Sequence, residues 1–319
     1  IGVGAVARPH SIARVDAPRT PPAATETTRN EDPETRMAET RAAPSESPVV
    51  SAVWSNADSK AHRALRDIVQ GARMYPLWLT AGTHDLKRQY RRSLLGPLWI
   101  TISLGVFVAV LGHFYSQFMG VPKARYVPHL AIGFIFWTFI QDVIIQSCNL
   151  FVKNSNWILN LPLPYSAFVY QLIWHQVLVF VHNLGVVAVV VILFPMEIGW
   201  PVLTVVPAIA LYIVNGVAIG FAMGILCVRF RDIANMVNTL MRLAFFATPI
   251  IWIADQLGTR AYYAHFNPFA SFIEIARAPL MGSAPSEWAW AVVGGSTVIS
   301  VVAAVAVMVY MRPKLSYWL

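Results

Sequence analysis

The stretch Asp85–Phe118, DLKRQYRRSLLGPLWITISLGVFVAVLGHFYSQF, constrains this chain more than any other. Four cations, Lys87, Arg88, Arg91 and Arg92, fall within six residues, Gly96 and Pro97 turn the chain, and an apolar run follows up to Gly120. A helix rises 1.5 Å per residue, so the run from Leu98 is long enough to cover the ~30 Å hydrocarbon core of a bilayer. Cations flanking a span stay on the cytoplasmic side, so this span is expected to start inside and end outside. Pro97 suits the first turn of a helix, where its missing N–H leaves nothing unpaired. Trp99 suits the headgroup layer.

Composition supports the membrane reading. The chain is 56% hydrophobic and 13% charged, against about 45–50% and 25% in soluble domains. The net charge of +8 could indicate nucleic-acid binding, but its distribution argues otherwise. Residues 1–55 hold six Arg and seven acids, while residues 56–319 hold 18 cations and nine acids. Most of those cations flank hydrophobic runs, as membrane topology requires. Cys148 and Cys227 both fall inside such runs, so no disulfide framework is implied. The first 75 residues hold no apolar core of signal-peptide type, and the first span is expected to direct insertion itself.

Residues 1–55, rich in Pro, Ala, Thr, Glu and Arg, read as a disordered cytoplasmic tail. Residues 56–97 read as an amphipathic interface helix followed by the cationic approach to the first span. Within it, Lys60–Ala72 places Ala61, Ala64, Leu65, Ile68, Val69 and Ala72 on one face. Lys60, Arg63, Arg66, Asp67 and Arg73 take the other face, and Pro76 is expected to break the helix. Such a helix lies in the membrane interface or packs on protein as a surface helix.

Residues 98–319 read as an all-α domain of six spans. Five runs follow the first: Pro128–Val152, Ala167–Phe194, Val202–Val228, Met236–Ile253 and Ala289–Met311. With both termini inside, the cytoplasmic flanks hold Lys87, Arg88, Arg91, Arg92, Lys153, Arg229, Arg231, Arg242, Arg312 and Lys314. The external segments hold Lys123, Arg125, Arg260 and Arg277, and this imbalance favours N-in, C-in. The inner stretch Lys153–Tyr165 is polar and turns at two prolines; the inner turn Arg229–Asp232 is short and charged. In the long outer segment Ala254–Ser286, Asn267 can cap and Pro268 can start a helix through Phe269, Phe272, Ile273 and Ala276. That helix is too short to cross, and with the short fifth run and its Pro249 it predicts a re-entrant hairpin at the outer face.

The sequence holds no GxxxxGK[ST], HExxH or GxSxG motif, and no Cys–His spacing of a metal site. No cofactor is expected in this chain. Intramembrane polar residues need a reason. Asp142, Gln146, Asn149 and Lys153 share one face of the second run, and Gln171, His175 and His182 one face of the third. Arg231, Asn235, Asn238 and Arg242 form a stripe on the fifth. Such stripes either hydrogen-bond between packed spans or line a conduit; packing is favoured for Asp142 and a conduit for the fifth-run stripe. Gly216, Gly220 and Gly224, four apart, read as close helix packing. The aromatics of the first three runs, including Trp99, Phe107, Tyr115, Phe136, Trp137, Phe139 and Phe168, are expected mostly to face lipid or form belts.

Four motifs, in order, carry a resemblance: KRQYRRSLLGPLW (Lys87–Trp99), VRFRDI (Val228–Ile233), TPIIW (Thr248–Trp252) and NPFASFIEIARAPLMG (Asn267–Gly282). Residues 60–319 resemble the membrane subunit of type-2 ABC polysaccharide exporters, the Wzm-like permeases of O-antigen, capsule, teichoic acid or galactan. The Ala/Val/Arg-rich composition and the tail look actinobacterial, which would favour galactan. The resemblance implies a homodimer in the bacterial inner membrane with two separate ABC ATPase chains, which would bind the ATP and Mg²⁺. It implies that Lys153–Tyr165, with Lys153, Asn154, Asn156 and Trp157, docks in the ATPase, and that Arg229, Arg231 and Asp232 form a second contact. It implies an external gate at Asn267–Leu280, with Asn267, Pro268, Phe269, Phe272, Glu274 and Arg277. The first and fifth spans would line the passage through Trp99, Phe107, Tyr115, Asn235, Asn238 and Arg242. An undecaprenyl-diphosphate-type lipid would meet the rim of Arg88, Tyr90, Arg91 and Arg92, where guanidinium and phosphate form bidentate bonds. The alternatives are a type-2 exporter of a drug or lipid, a secondary transporter with an inverted repeat, and a membrane glycosyltransferase or acyltransferase.

Overall fold

The structure, a computed structural model, describes residues 48–91, 95, 96, 98–196, 199–254, 256, 258 and 266–319, with side chains from Lys60 onward. Arg92, Pro97, Arg260 and most of the expected tail lie outside the described residues. The compact body runs from Ala52 to Leu319. Among the described residues every regular element is helical: α1 Pro48–Arg73, α2 Tyr75–Gln89, α3 Leu98–Phe118, α4 Lys123–Lys153, α5 Ser155–Asn160 and α6 Tyr165–Leu193. After a 3₁₀ turn at Trp200–Thr204 come α7 Val205–Arg229, α8 Asp232–Ala247, α9 Pro268–Leu280, α10 Glu287–Tyr310 and α11 Leu315–Trp318.

Five of these segments are long and apolar enough to cross a membrane: α3, α4, α6, Trp200–Arg229 and α10. The fifth hydrophobic run instead forms α8, 16 residues long. The reason is local. Pro disfavours a helical conformation in the residue before it, and Thr248, before Pro249, is extended at φ −96°, ψ 138°.

The centre of the body is α4, not the first span. In the most apolar window of α4, 61% of residues are buried, against 17% in α3. This corrects the expectation for the aromatics. Phe136, Trp137 and Phe139 of α4 and Phe168 of α6 are buried in the protein core. Phe136 and Phe139 meet Phe180 and Tyr212 with ring centroids 5.1–6.0 Å apart, separations typical of aromatic pairs. Hydropathy cannot distinguish a ring that faces lipid from one that faces another helix.

The glycine row of α7 does pack closely. A Cβ on Gly220 would stand 2.7 Å from Val169 Cγ1, and one on Gly224 would stand 2.8 Å from Phe151 Cε2. Gly220→Val is therefore expected to lower stability by about 1–3 kcal/mol, the usual range for overpacking. Gly294→Ala, where a Cβ meets open space inside α10, should hold or slightly raise the melting temperature in detergent, since Ala is the better helix former.

The interface segment differs from expectation in two ways. It is two helices, because Pro76 occupies the first turn of α2, where proline is tolerated, and the chain continues helically to Gln89. Its protein-facing side is also different. Ala64 and Asp67 are buried, whereas Leu65 and Val69 are exposed.

Candidate functional site

One end of the bundle is basic. Lys87 and Arg88 close the last turn of α2, and cations are favourable at a helix C-terminus. Asp85 accepts from Arg88 Nη2 at 3.3 Å and from Gln171 Nε2 of α6 at 2.6 Å. Burial and the nearby Asp142 carboxylate push the Tyr90 phenol up from its ordinary value. Arg91 is exposed. The polar stripe of α4 reaches the same end, where Gln146, Asn149 and Lys153 line a cavity with Gln171 and His175.

Lys153 ends α4, and Asn154 caps it by donating from Nδ2 to the Leu150 carbonyl at 2.9 Å. The short α5 follows, with Asn156 and Trp157 exposed. Arg229, Arg231 and Asp232 are also exposed at the α7–α8 turn. The Arg229 guanidinium lies over Phe230 and Trp318, at 5.1 and 5.6 Å from the ring centroids.

The tightest polar cluster at this end centres on a residue that periodicity assigned to the solvent face. Asp67 is 3% exposed. Its carboxylate accepts from the backbone N–H groups of Tyr165 and Ser166 at 3.3 and 3.0 Å. It also accepts from Arg312 Nε and Nη2 at 3.1 and 2.5 Å. Ser166 Oγ donates back to the Asp67 carbonyl at 2.6 Å. Pro164, at the N-cap of α6, offers no side-chain cap; Asp67 supplies one from α1, and an anion there also suits the helix dipole. Gly71, one turn on, permits the approach, since a Cβ there would collide with Ser166. No sequence signal joins Asp67 to partners 98, 99 and 245 residues away.

At the opposite end, the non-helical stretch after α8 is held by side chains. Arg277 Nη1 of α9 donates to the Pro249 carbonyl at 2.7 Å and sits 3.2 Å from His129 Nε2. Tyr126 Oη donates to the Ile251 carbonyl at 2.6 Å. Asn267 caps α9 by accepting from Phe269 N at 3.0 Å, and its Nδ2 donates to Thr248 Oγ1 at 2.9 Å. Pro268 opens α9. Phe269 packs edge-on to Trp137, Phe272 edge-on to Tyr212, and Glu274 Oε1 accepts from Ser286 N at 3.0 Å.

The residues expected to line a passage sit on outward faces. Trp99, Phe107 and Tyr115 of α3 are exposed, as are Asn235 and Arg242 of α8. Asn238 spends its amide on the Ala234 carbonyl at 2.7 Å. Among the described residues no cluster of three or more His, Cys, Asp or Glu could hold a metal ion.

Residues 77–281, from α2 through the end of α9, match the family profile described as ABC-2 type transporter. The chain belongs to that family. As an ABC-2 type transporter it is a multi-pass inner-membrane protein and a transport subunit, and membership implies in general a partner ABC ATPase. Among its relatives is an "O-antigen export system permease protein RfbA" of Klebsiella pneumoniae, 25% identical over 63% of this chain and 78% of the relative. A second protein of the same description and organism is 23% identical over 63% of this chain and 78% of its own length. One from Myxococcus xanthus is 20% identical over 59% and 74%.

Proposed function

We propose that this chain is the membrane subunit of an ATP-driven exporter that carries a lipid-linked polysaccharide out of the cytoplasm. The observation that carries the reading is the similarity to O-antigen export permeases over most of their length. Two copies would assemble, with the residues before α1 as a cytoplasmic tail, which moves its expected boundary from residue 55 back to the helix start at Pro48, and with both termini inside. The basic end then faces the cytoplasm, as the distribution of Lys and Arg favours. Segment Asp232–Ile253 serves as the fifth of six spans, and α9 with the Thr248–Trp252 stretch serves as the outer gate. ATP and Mg²⁺ are held by the partner ATPase.

In this scheme Arg88, Arg91 and Arg92, with Tyr90, receive the diphosphate of an undecaprenyl-type carrier. ATP binding in the partner pushes α5, and the push passes to α4 and α6, which α5 joins. The two subunits rock, and the glycan advances past Trp99, Phe107 and Tyr115 of α3 and the Asn235–Arg242 stripe of α8. Sugar rings present apolar C–H faces that can stack on such aromatics. Co-purification with an ATPase and glycan analysis of cells depleted of this chain test the proposal. Loss of surface polysaccharide with intracellular accumulation is expected; normal surface polysaccharide would overturn it.

Trp157, 60% exposed on α5, is the best anchor for the ATPase. Buried interface tryptophans commonly contribute 2 kcal/mol or more, so Trp157→Ala should weaken ATPase co-purification by roughly thirtyfold. Its exposure predicts an unchanged melting temperature for the isolated chain.

A further inference from the structure

The cavity at the basic end has a volume of about 920 Å³, near the top of the usual range for ligand sites. Its chemistry is graded with depth. Arg88 and Lys153 stand at the rim, where α2 and α4 end. Asn149 and Gln146 lie one and two turns inward on α4, facing Gln171 and His175 of α6. Leu77 and Leu172 are among the residues that form apolar wall. At 1.5 Å per residue, Gln146 lies about 10 Å along its helix from Lys153, and His175 about 15 Å from the start of α6.

Only part of the polar lining is engaged. Asp85 is bound by Gln171 and Arg88, but the side chains of Gln146, Asn149 and Lys153 find no hydrogen-bond partner among the described residues. Gln146 is half-buried, and Asn149 and Lys153 are exposed above it; a half-buried amide without a partner calls for a ligand or water. Asp85 and Arg88 offset one another, so Lys153 leaves the lining with a net positive charge.

We propose that this cavity holds one anionic phospholipid from the leaflet that meets the basic end. Its phosphate lies between Lys153 and Arg88, its glycerol ester carbonyls accept from Asn149 and Gln146, and its acyl chains run along Leu77 and Leu172. Basic pockets between transmembrane helices bind anionic headgroups in this way. A free phosphate would use only the rim of so large a space. Because Asn154 and Trp157 also line the cavity, the bound lipid braces α5 against α2. Arg88 is shared with the rim given above to the diphosphate carrier, so the experiment distinguishes a phospholipid from that carrier in the cavity.

Native mass spectrometry of the purified full chain, with phosphatidylglycerol or phosphatidylcholine supplied in nanodiscs, tests it. The wild type should retain one phosphatidylglycerol in about fivefold preference to phosphatidylcholine, the discrimination expected from one net positive charge near a surface. R88Q/K153Q should abolish that preference, whereas K60Q/R66Q on exposed α1 should keep it. Should R88Q/K153Q not fold, Asn149→Leu, which removes an ester donor and keeps both cations, should reduce retention of both lipids. Equal retention of the two lipids by the wild type would overturn the proposal. So would an adduct with the mass of a prenyl-diphosphate glycan in place of phospholipid, which would assign the cavity to the exported substrate.

Discussion

Asp67→Ala is expected to destabilise the protein by about 3–5 kcal/mol, the range for removing one partner of a buried ion pair. Three losses act together. Arg312 keeps its charge with no carboxylate beside it, the first turn of α6 loses the cap that Asp67 supplies, and α1 keeps only the Ser166 and Tyr170 hydroxyl bonds to its backbone carbonyls as polar ties to α6. The melting temperature in detergent and the amount of protein in the membrane should both fall sharply. Asp67→Asn should fall between the two, because its oxygen can still cap α6 while its NH₂ confronts the guanidinium. The exchanged pair D67R/R312D should not rescue. The Tyr165 and Ser166 N–H groups need an acceptor at position 67, and a guanidinium offers only donors. Full rescue by the exchange would mean that the ion pair alone matters and the cap contributes nothing. The cluster sits directly after the α5 segment, so any displacement of α5 that moves the start of α6 carries α1 and Arg312 with it.

What could be read from the sequence was what depends on neighbouring residues. Span length and apolarity announced α3, α4, α6, α7 and α10 to within a few residues. The Asn-Pro pair at 267–268 announced the start of α9, because capping chemistry is local. Asp67 was misassigned because a helical wheel ranks faces by polarity. Here a carboxylate is buried to satisfy another helix's N–H groups, and a burial of that kind is invisible to periodicity. Pro76 signals a stop in the pattern but is also a permitted start, which is how α2 escapes periodicity. The Gln146–Asn149–Lys153 stripe was legible as a face. Whether that face packs or lines a space depends on how α2 lies against α6. That contact depends on Gly82, where a Cβ would stand 2.9 Å from the Gln171 carbonyl.

Arg277→Ala should produce the largest effect at the other end, and the reason is the backbone rather than the charge. Thr248–Trp252 is not α-helical, and irregular backbone at membrane depth is tolerated only where its polar groups are satisfied. Here side chains do that work. Arg277 serves the Pro249 carbonyl, Tyr126 the Ile251 carbonyl, and Trp252 Nε1 the Phe246 carbonyl at 3.0 Å. Removing Arg277 strands the Pro249 carbonyl and takes a neighbour from His129, 7% exposed. A hydrogen bond to a charged group contributes about 1.5–3 kcal/mol, so the hairpin should detach locally before the body melts. If the hairpin is the outer gate, Arg277→Ala vesicles should leak ions in the absence of ATP, and wild-type vesicles should not. Arg277→Lys, which can still donate to Pro249 as a point charge, should restore most of the seal. A variant that melts earlier yet stays ion-tight would leave Arg277 as a structural brace and remove the gate assignment from α9. Tyr126→Phe separates these outcomes further. It strands one carbonyl in the same stretch without touching α9, so a leak there would place the seal in the Thr248–Trp252 backbone itself.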